Sequence, residues 1–236
     1  MNTPNAPKQQ SLWFYSVLPA VILNVGSLCL FGFYYATAAM RQVPVAQADQ
    51  DNLSFGLYVF IFIIELVFAI SLFVRERQAG RSLALLFSSG SAPMRIRLLP
   101  FLLLFVILNS LFLAYVAFSG YLRGGWPTMP TLATWQRLFL VMAVPLGAGF
   151  CEEIIWRGYL ISQWQARGYT GTKAILLSAI SFAFIHGIFL PDKLILTFLF
   201  GVVAGVFYVK ERNLLPLIIT HTFIDMWSFG LSVFSF

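Results

Sequence analysis

Runs of about twenty apolar residues, the length that crosses roughly 30 Å of hydrocarbon as a helix, recur along most of this chain. They fall at 12–39, 53–74, 98–118, 138–164, 174–190, 194–209 and 214–235, with a shorter apolar piece at 82–88 suited to the membrane interface. With 59% hydrophobic and only 10% charged residues among 236, the chain lacks the polar groups to cover a soluble surface. The fold class expected is all-α, a polytopic transmembrane bundle of about seven or eight spans. It forms a single integral membrane domain over 1–236, with N-terminal helices in 1–137 and a core in 138–236. The opening MNTPNAPKQQ leads into a run too long for a signal-peptide core and is expected to stay attached to the first helix.

The net charge of +6 does not point to nucleic acid, because the basic residues lie in the connections between spans. With the N-terminus inside, the cytoplasmic segments collect Lys8, Arg75, Arg77, Arg81, Arg95, Arg97, Arg167, Lys173, Lys210 and Arg212. The outer segments collect only Arg41, Arg123, Arg137 and Lys193. This partition follows the positive-inside rule and supports a cytoplasmic N-terminus with an odd number of spans.

Against that background, GFCEEIIWRGYLISQW at 149–164 stands out, since two glutamates and an arginine occupy a run apolar enough to cross the bilayer. Glu65, Glu152, Glu153, Asp225 and both histidines, His186 and His221, also fall within proposed spans. Each such group costs about 2.5 kcal/mol or more to insert at a helix centre, so an intramembrane ionisable residue is a functional-site candidate by default. Measured from the cytoplasmic basic residue that ends each span, Glu152, His186, His221 and Asp225 lie roughly 22, 20, 14 and 20 Å deep. Groups at these depths converge if their helices are neighbours.

Helical spacing sorts the faces. Glu153 and Arg157 are i,i+4 and can neutralise one another, whereas Glu152 points about 100° away and is left without a cation. A carboxylate in that position is the general-base candidate. His221 and Asp225 are also i,i+4, so the acid can fix the imidazole tautomer. Phe182 stands one turn from His186. A base, a histidine to share a proton from water, and a second histidine to stabilise an oxyanion are what amide hydrolysis requires.

The ordered trio Glu152-Glu153-x-x-x-Arg157, Phe182-x-x-x-His186 and His221-x-x-x-Asp225, each on its own span, resembles the signature of the CPBP family. This family groups CAAX prenyl endopeptidases with bacteriocin-processing and Abi-type membrane proteins. The resemblance covers roughly 138–230 and implies a glutamic intramembrane endopeptidase. In it, Glu152 and His186 activate water, while His221 and Asp225 serve the oxyanion. Family members commonly show asparagine where this chain has Asp225. A carboxylate cannot donate an N–H, so Asp225 is assigned to orienting His221. Glu153, Arg157 and Phe182 are supporting residues, with Arg157 either an internal ion-pair partner or a grip for a substrate carboxylate.

Other readings remain beside this one. Glu65 belongs to no motif and reads as a polar contact inside the bundle. Cys151 beside two acids is a poor nucleophile, because adjacent negative charge disfavours a thiolate. The hydrolytic reading needs no cofactor, although two histidines and two carboxylates could instead hold zinc with an open position for water. Intramembrane Glu, His and Asp also serve proton-coupled transporters, and a non-catalytic scaffold would keep the same fold. The partners expected are the lipid bilayer and a membrane-associated protein or peptide substrate, with no nucleic acid. The location expected is a bacterial inner membrane.

Overall fold

The computed structural model describes residues 10–87 and 96–234. Lys8 and Arg95 of the charge partition lie outside them. Seven long helices make up the bundle, and no strand occurs among the described residues. We label them α1 (Leu12–Met40), α2 (Gln47–Gln78), α3 (Leu98–Arg123), α4 (Thr134–Ala166), α5 (Gly171–Ile185), α6 (Pro191–Glu211) and α7 (Leu215–Val233). Five of them, α1 to α4 and α6, are long and apolar enough to cross a membrane by length and composition.

The helices are mostly longer than the apolar runs because polar turns extend them past the hydrocarbon. The 32 residues of α2 begin with QADQDN and end with RERQ, and reach about 48 Å at 1.5 Å per residue. α7 is slightly shorter than its run, and α5 stops at Ile185 rather than continuing to 190, leaving His186 as its C-cap and Gly187 at φ +102°. Glycine there avoids the steric penalty of the left-handed region, and Pro191 then starts α6 at a position where a missing N–H costs nothing. Of the apolar piece at 82–88, residues 82–87 are described and residue 88 lies outside the described residues. Its turn Ala84–Phe87 packs into the bundle end, with Leu86 buried and the Phe87 carbonyl accepting from the Leu214 N–H at 3.0 Å.

At the centre of the bundle, α4 touches α2, α5, α6 and α7. Small residues allow the closest approaches. A Cβ on Gly149 of α4 would collide with the Thr222 hydroxyl and stand 3.1 Å from the Ile218 carbonyl of α7. One on Gly201 of α6 would stand 2.9 Å from Ala179 of α5. The first contact brings α7 against the helix that bears the two glutamates, and the second packs α6 against α5.

Two stretches of α4 are wound as π-helix, Phe139–Ala143 and Glu153–Ile161. Such turns often mark functional sites and change the bonding of nearby carbonyls. Here neighbouring helices supply hydroxyls: Ser178 donates to the Trp156 carbonyl at 2.6 Å, and Thr222 to the Pro145 carbonyl at 3.3 Å. The Trp156 indole N–H donates to the Ser181 hydroxyl at 2.9 Å, and Ser181 in turn donates to the Ser16 carbonyl of α1. A polar thread thus ties α1, α5 and α4 behind the site.

Candidate active site

The three sequence motifs meet. Glu152 Oε1 lies 4.0 Å from His186 Nε2, and Glu152 Oε2 lies 3.6 Å from His221 Nε2. His221 Nε2 is also 3.6 Å from Asp225 Oδ2. These separations exceed direct hydrogen bonds but suit a bridging water. Glu152 is 2% exposed, and its Oε2 has no hydrogen-bond partner.

The second nitrogen of each ring is fixed. His186 Nδ1 sits 3.0 Å from the Phe182 carbonyl, which can only accept, so Nδ1 carries the proton and Nε2 presents its lone pair toward Glu152. His221 Nδ1 sits 2.8 Å from Glu153 Oε1, and donates to it. The carboxylate that holds the His221 tautomer is therefore Glu153, whereas the sequence pattern assigned that task to Asp225. The π-helical winding from Glu153 onward alters the simple 100° separation, and both adjacent glutamates reach one imidazole from its two nitrogens.

Arg157 Nη1 lies 3.1 Å from Glu153 Oε1, as the i,i+4 spacing predicts. The guanidinium is 1% exposed and stands 4.2 Å over the Phe182 ring and 5.6 Å from the Phe200 ring. Neither Arg157 terminal nitrogen has an aligned hydrogen-bond acceptor, so the Glu153 charge and the aromatic faces are what compensate its burial. Phe182 separates this ion pair from His186, with ring centroids 4.6 Å apart.

The site opens into a cavity of about 640 Å³ whose wall includes Glu65, Glu152, His186, His221, Asp225 and Lys193. Most of the remaining wall is aromatic or aliphatic, as suits an apolar chain segment. Arg157 is not on that wall. The cavity runs toward the bundle end that contains Arg123, Trp126, Leu190 and Ser232. At that end Arg123 is committed to Asp192 at 2.7 Å and to the Ser119 hydroxyl at 2.7 Å.

Two residues outside the motifs belong to the site. Glu65 of α2 is 4% exposed, and its carboxyl lies within hydrogen-bonding reach of Glu152. Its signal in the sequence was an acid within an apolar span, without a partner to pair it with. Asn24 of α1 donates to the Phe184 carbonyl at 2.8 Å and accepts from the Ile188 N–H at 3.2 Å, so it clamps the α5 end beside His186. Its only signal was an amide in the first apolar run. Among the described residues, no group of three or more His, Cys, Asp or Glu side chains is set to hold one metal ion. Cys151 is buried and off the cavity wall.

Residues 134–227 match the family model described as type II CAAX prenyl endopeptidase, Rce1-like. The matched segment contains all three motifs and leaves α1, α2 and α3 outside, and it supports the CPBP resemblance read from those motifs. No curated protein and no solved structure matches the chain.

Proposed function

We propose, from the Rce1-like family that residues 134–227 match, that this chain is a membrane-embedded endopeptidase using a glutamate–histidine pair to activate water. The observation that favours this reading is the 4.0 Å gap between Glu152 Oε1 and His186 Nε2, two acceptors with no donor between them. A water placed there donates one hydrogen to each and turns a lone pair toward the cavity. Glu152 takes the proton as oxygen attacks the peptide carbonyl, and returns it to the departing amine when the C–N bond breaks. His186 holds the water's other hydrogen and fixes the angle of attack.

The developing oxyanion is assigned to His221. With Nδ1–H given to Glu153, a second proton on Nε2 makes that nitrogen the donor, and the resulting imidazolium faces Glu152, Glu153 and Asp225. Arg157 neutralises Glu153 from behind and acts through it rather than on the substrate. Asp225 stands at the cavity side of the same nitrogen, where it favours the imidazolium and must give way to substrate oxygen. The substrate is a membrane-associated protein or peptide whose apolar residues fill the cavity, and lipid surrounds the remaining helix faces.

The uneven spread of basic residues between the two sides supports a cytoplasmic N-terminus, and the membrane we assign is a bacterial inner membrane. The deciding experiment is Glu152→Gln, nearly the same shape without the base. Cleavage of an internally quenched prenylated CAAX peptide in detergent should disappear while the thermal unfolding midpoint is kept. Retained cleavage would remove Glu152 as the base.

A further inference from the structure

Glu65 is an acid whose neighbour is another acid. It comes from α2, outside the motif-bearing segment, and is buried where α2 packs against α4. No lysine, arginine or histidine lies within ion-pair distance of it among the described residues, and its Oε2 has no hydrogen-bond partner. Arg75, the cation on its own helix, is ten residues away, about 15 Å along the axis. Yet the Glu65 and Glu152 side chains reach one another, and both border the same cavity.

Two ionised carboxylates repel, and neither can donate to the other. A contact between them in a water-poor site is stable when they hold one proton between them. Glu152 has the imidazoles of His186 and His221 within 4.0 and 3.6 Å, and Arg157 lies one turn further along its helix. The His221 imidazolium and Arg157 favour the anion on Glu152, as its task as base requires, and leave the proton with Glu65, whereas the neutral His186 presents only a lone pair to it. The other titratable groups facing Glu65 are Asp225 and His221 of α7 and the Cys151 thiol of α4.

We infer that Glu65 is a positioning residue for Glu152: its carboxyl O–H donates to the Glu152 carboxylate and fixes the direction in which that base faces the two imidazoles. The inference rests on the hydrolytic reading for its kinetic consequence, but not for the contact itself. It also gives α2 a part in the chemistry that motif patterns confined to α4, α5 and α7 do not contain.

The test compares Glu65→Gln with Glu65→Leu, using the same quenched prenylated peptide and an infrared spectrum of each purified protein. The glutamine amide still donates, so its kcat should stay within about threefold of wild type. The leucine variant should lose about tenfold to a hundredfold in kcat with little change in KM, as expected when a catalytic group is misdirected. Wild type should also lose rate at alkaline pH as the shared proton departs, a loss that Glu65→Gln should not show. In the spectrum, the protonated-carboxyl stretch of wild type should vanish in Glu65→Gln and shift in Glu152→Gln. The spectral arm needs no substrate, so a protein without peptidase activity would still report on the contact. Wild-type kinetics and pH profile in Glu65→Leu, or no carboxyl band assignable to Glu65, would overturn the inference. Loss of all activity in Glu65→Gln would do so too, by making Glu65 a base itself.

Discussion

Glu153 Oε1 stands 2.8 Å from His221 Nδ1 and 3.1 Å from Arg157 Nη1, so one carboxylate oxygen joins a ring on α7 to a cation on its own helix. Replacing Glu153 by Gln keeps an oxygen for Nδ1–H but removes the charge beside a buried guanidinium. Breaking a buried pair from one side costs about 3–5 kcal/mol. We expect Glu153→Gln to lower the unfolding midpoint clearly. Glu153→Gln combined with Arg157→Met should recover much of the stability, because no buried charge is then left unmatched. Equal midpoints for the single and double variants would show that the pair is not what the guanidinium depends on.

Gly149 sets the distance between α4 and α7. Alanine there would collide with the Thr222 hydroxyl and meet the Ile218 carbonyl at 3.1 Å, and the second contact is backbone that cannot rotate away. Overpacking of this kind costs about 1–3 kcal/mol. Gly149→Ala should therefore destabilise the protein and reduce kcat by moving His221 off Glu152. Adding Thr222→Ala should relieve only part of both effects. Full recovery would place the whole strain on the hydroxyl.

Asn24 donates to the Phe184 carbonyl near the end of α5 and accepts from the Ile188 N–H across the bundle. Asn24→Leu keeps the bulk and removes both bonds. Amide exchange at 186–190 should accelerate, and cleavage should slow because His186 is the first residue of that segment. Unchanged exchange in the variant would show that Gly187 and Pro191 hold the turn without α1.

The cavity leads to the bundle end opposite the one rich in arginine and lysine. In a protein with Cys29→Ala, a cysteine at Tyr121, 85% exposed at that end, should react with a membrane-impermeant maleimide on intact cells. A cysteine at the exposed Gln78 should react only after lysis. The reverse labelling would invert the orientation read from the charges.

Much of the site was legible because its signals are local and costly to fake. Ionisable residues in apolar runs are rare, and the i,i+4 relation of Glu153 and Arg157 follows from helix geometry alone. The depth ruler brought Glu152, His186 and His221 to comparable levels, and they do meet. The ruler fails in detail at His186, which caps α5 instead of lying inside it; Gly187 and Pro191 are the stop signals, and the hydropathy that continues past them masks the helix end. The exchange of roles between Glu153 and Asp225 was not legible, since it depends on π winding that no residue pattern here announces. Glu65 and Asn24 act on partners far along the chain, and a single sequence gives no pairing information at that range.

The wide coil from Glu153 to Ile161 also constrains how this chain can change. It stores surplus backbone at the one place where two consecutive acids must address the same ring. Deleting a single residue inside it would let the helix relax to ordinary pitch, yet it would rotate Arg157 and the aromatic wall behind it out of line with Glu153. Length there is thus as much a requirement as side-chain identity, and substitutions should be tolerated in this stretch more readily than shortenings.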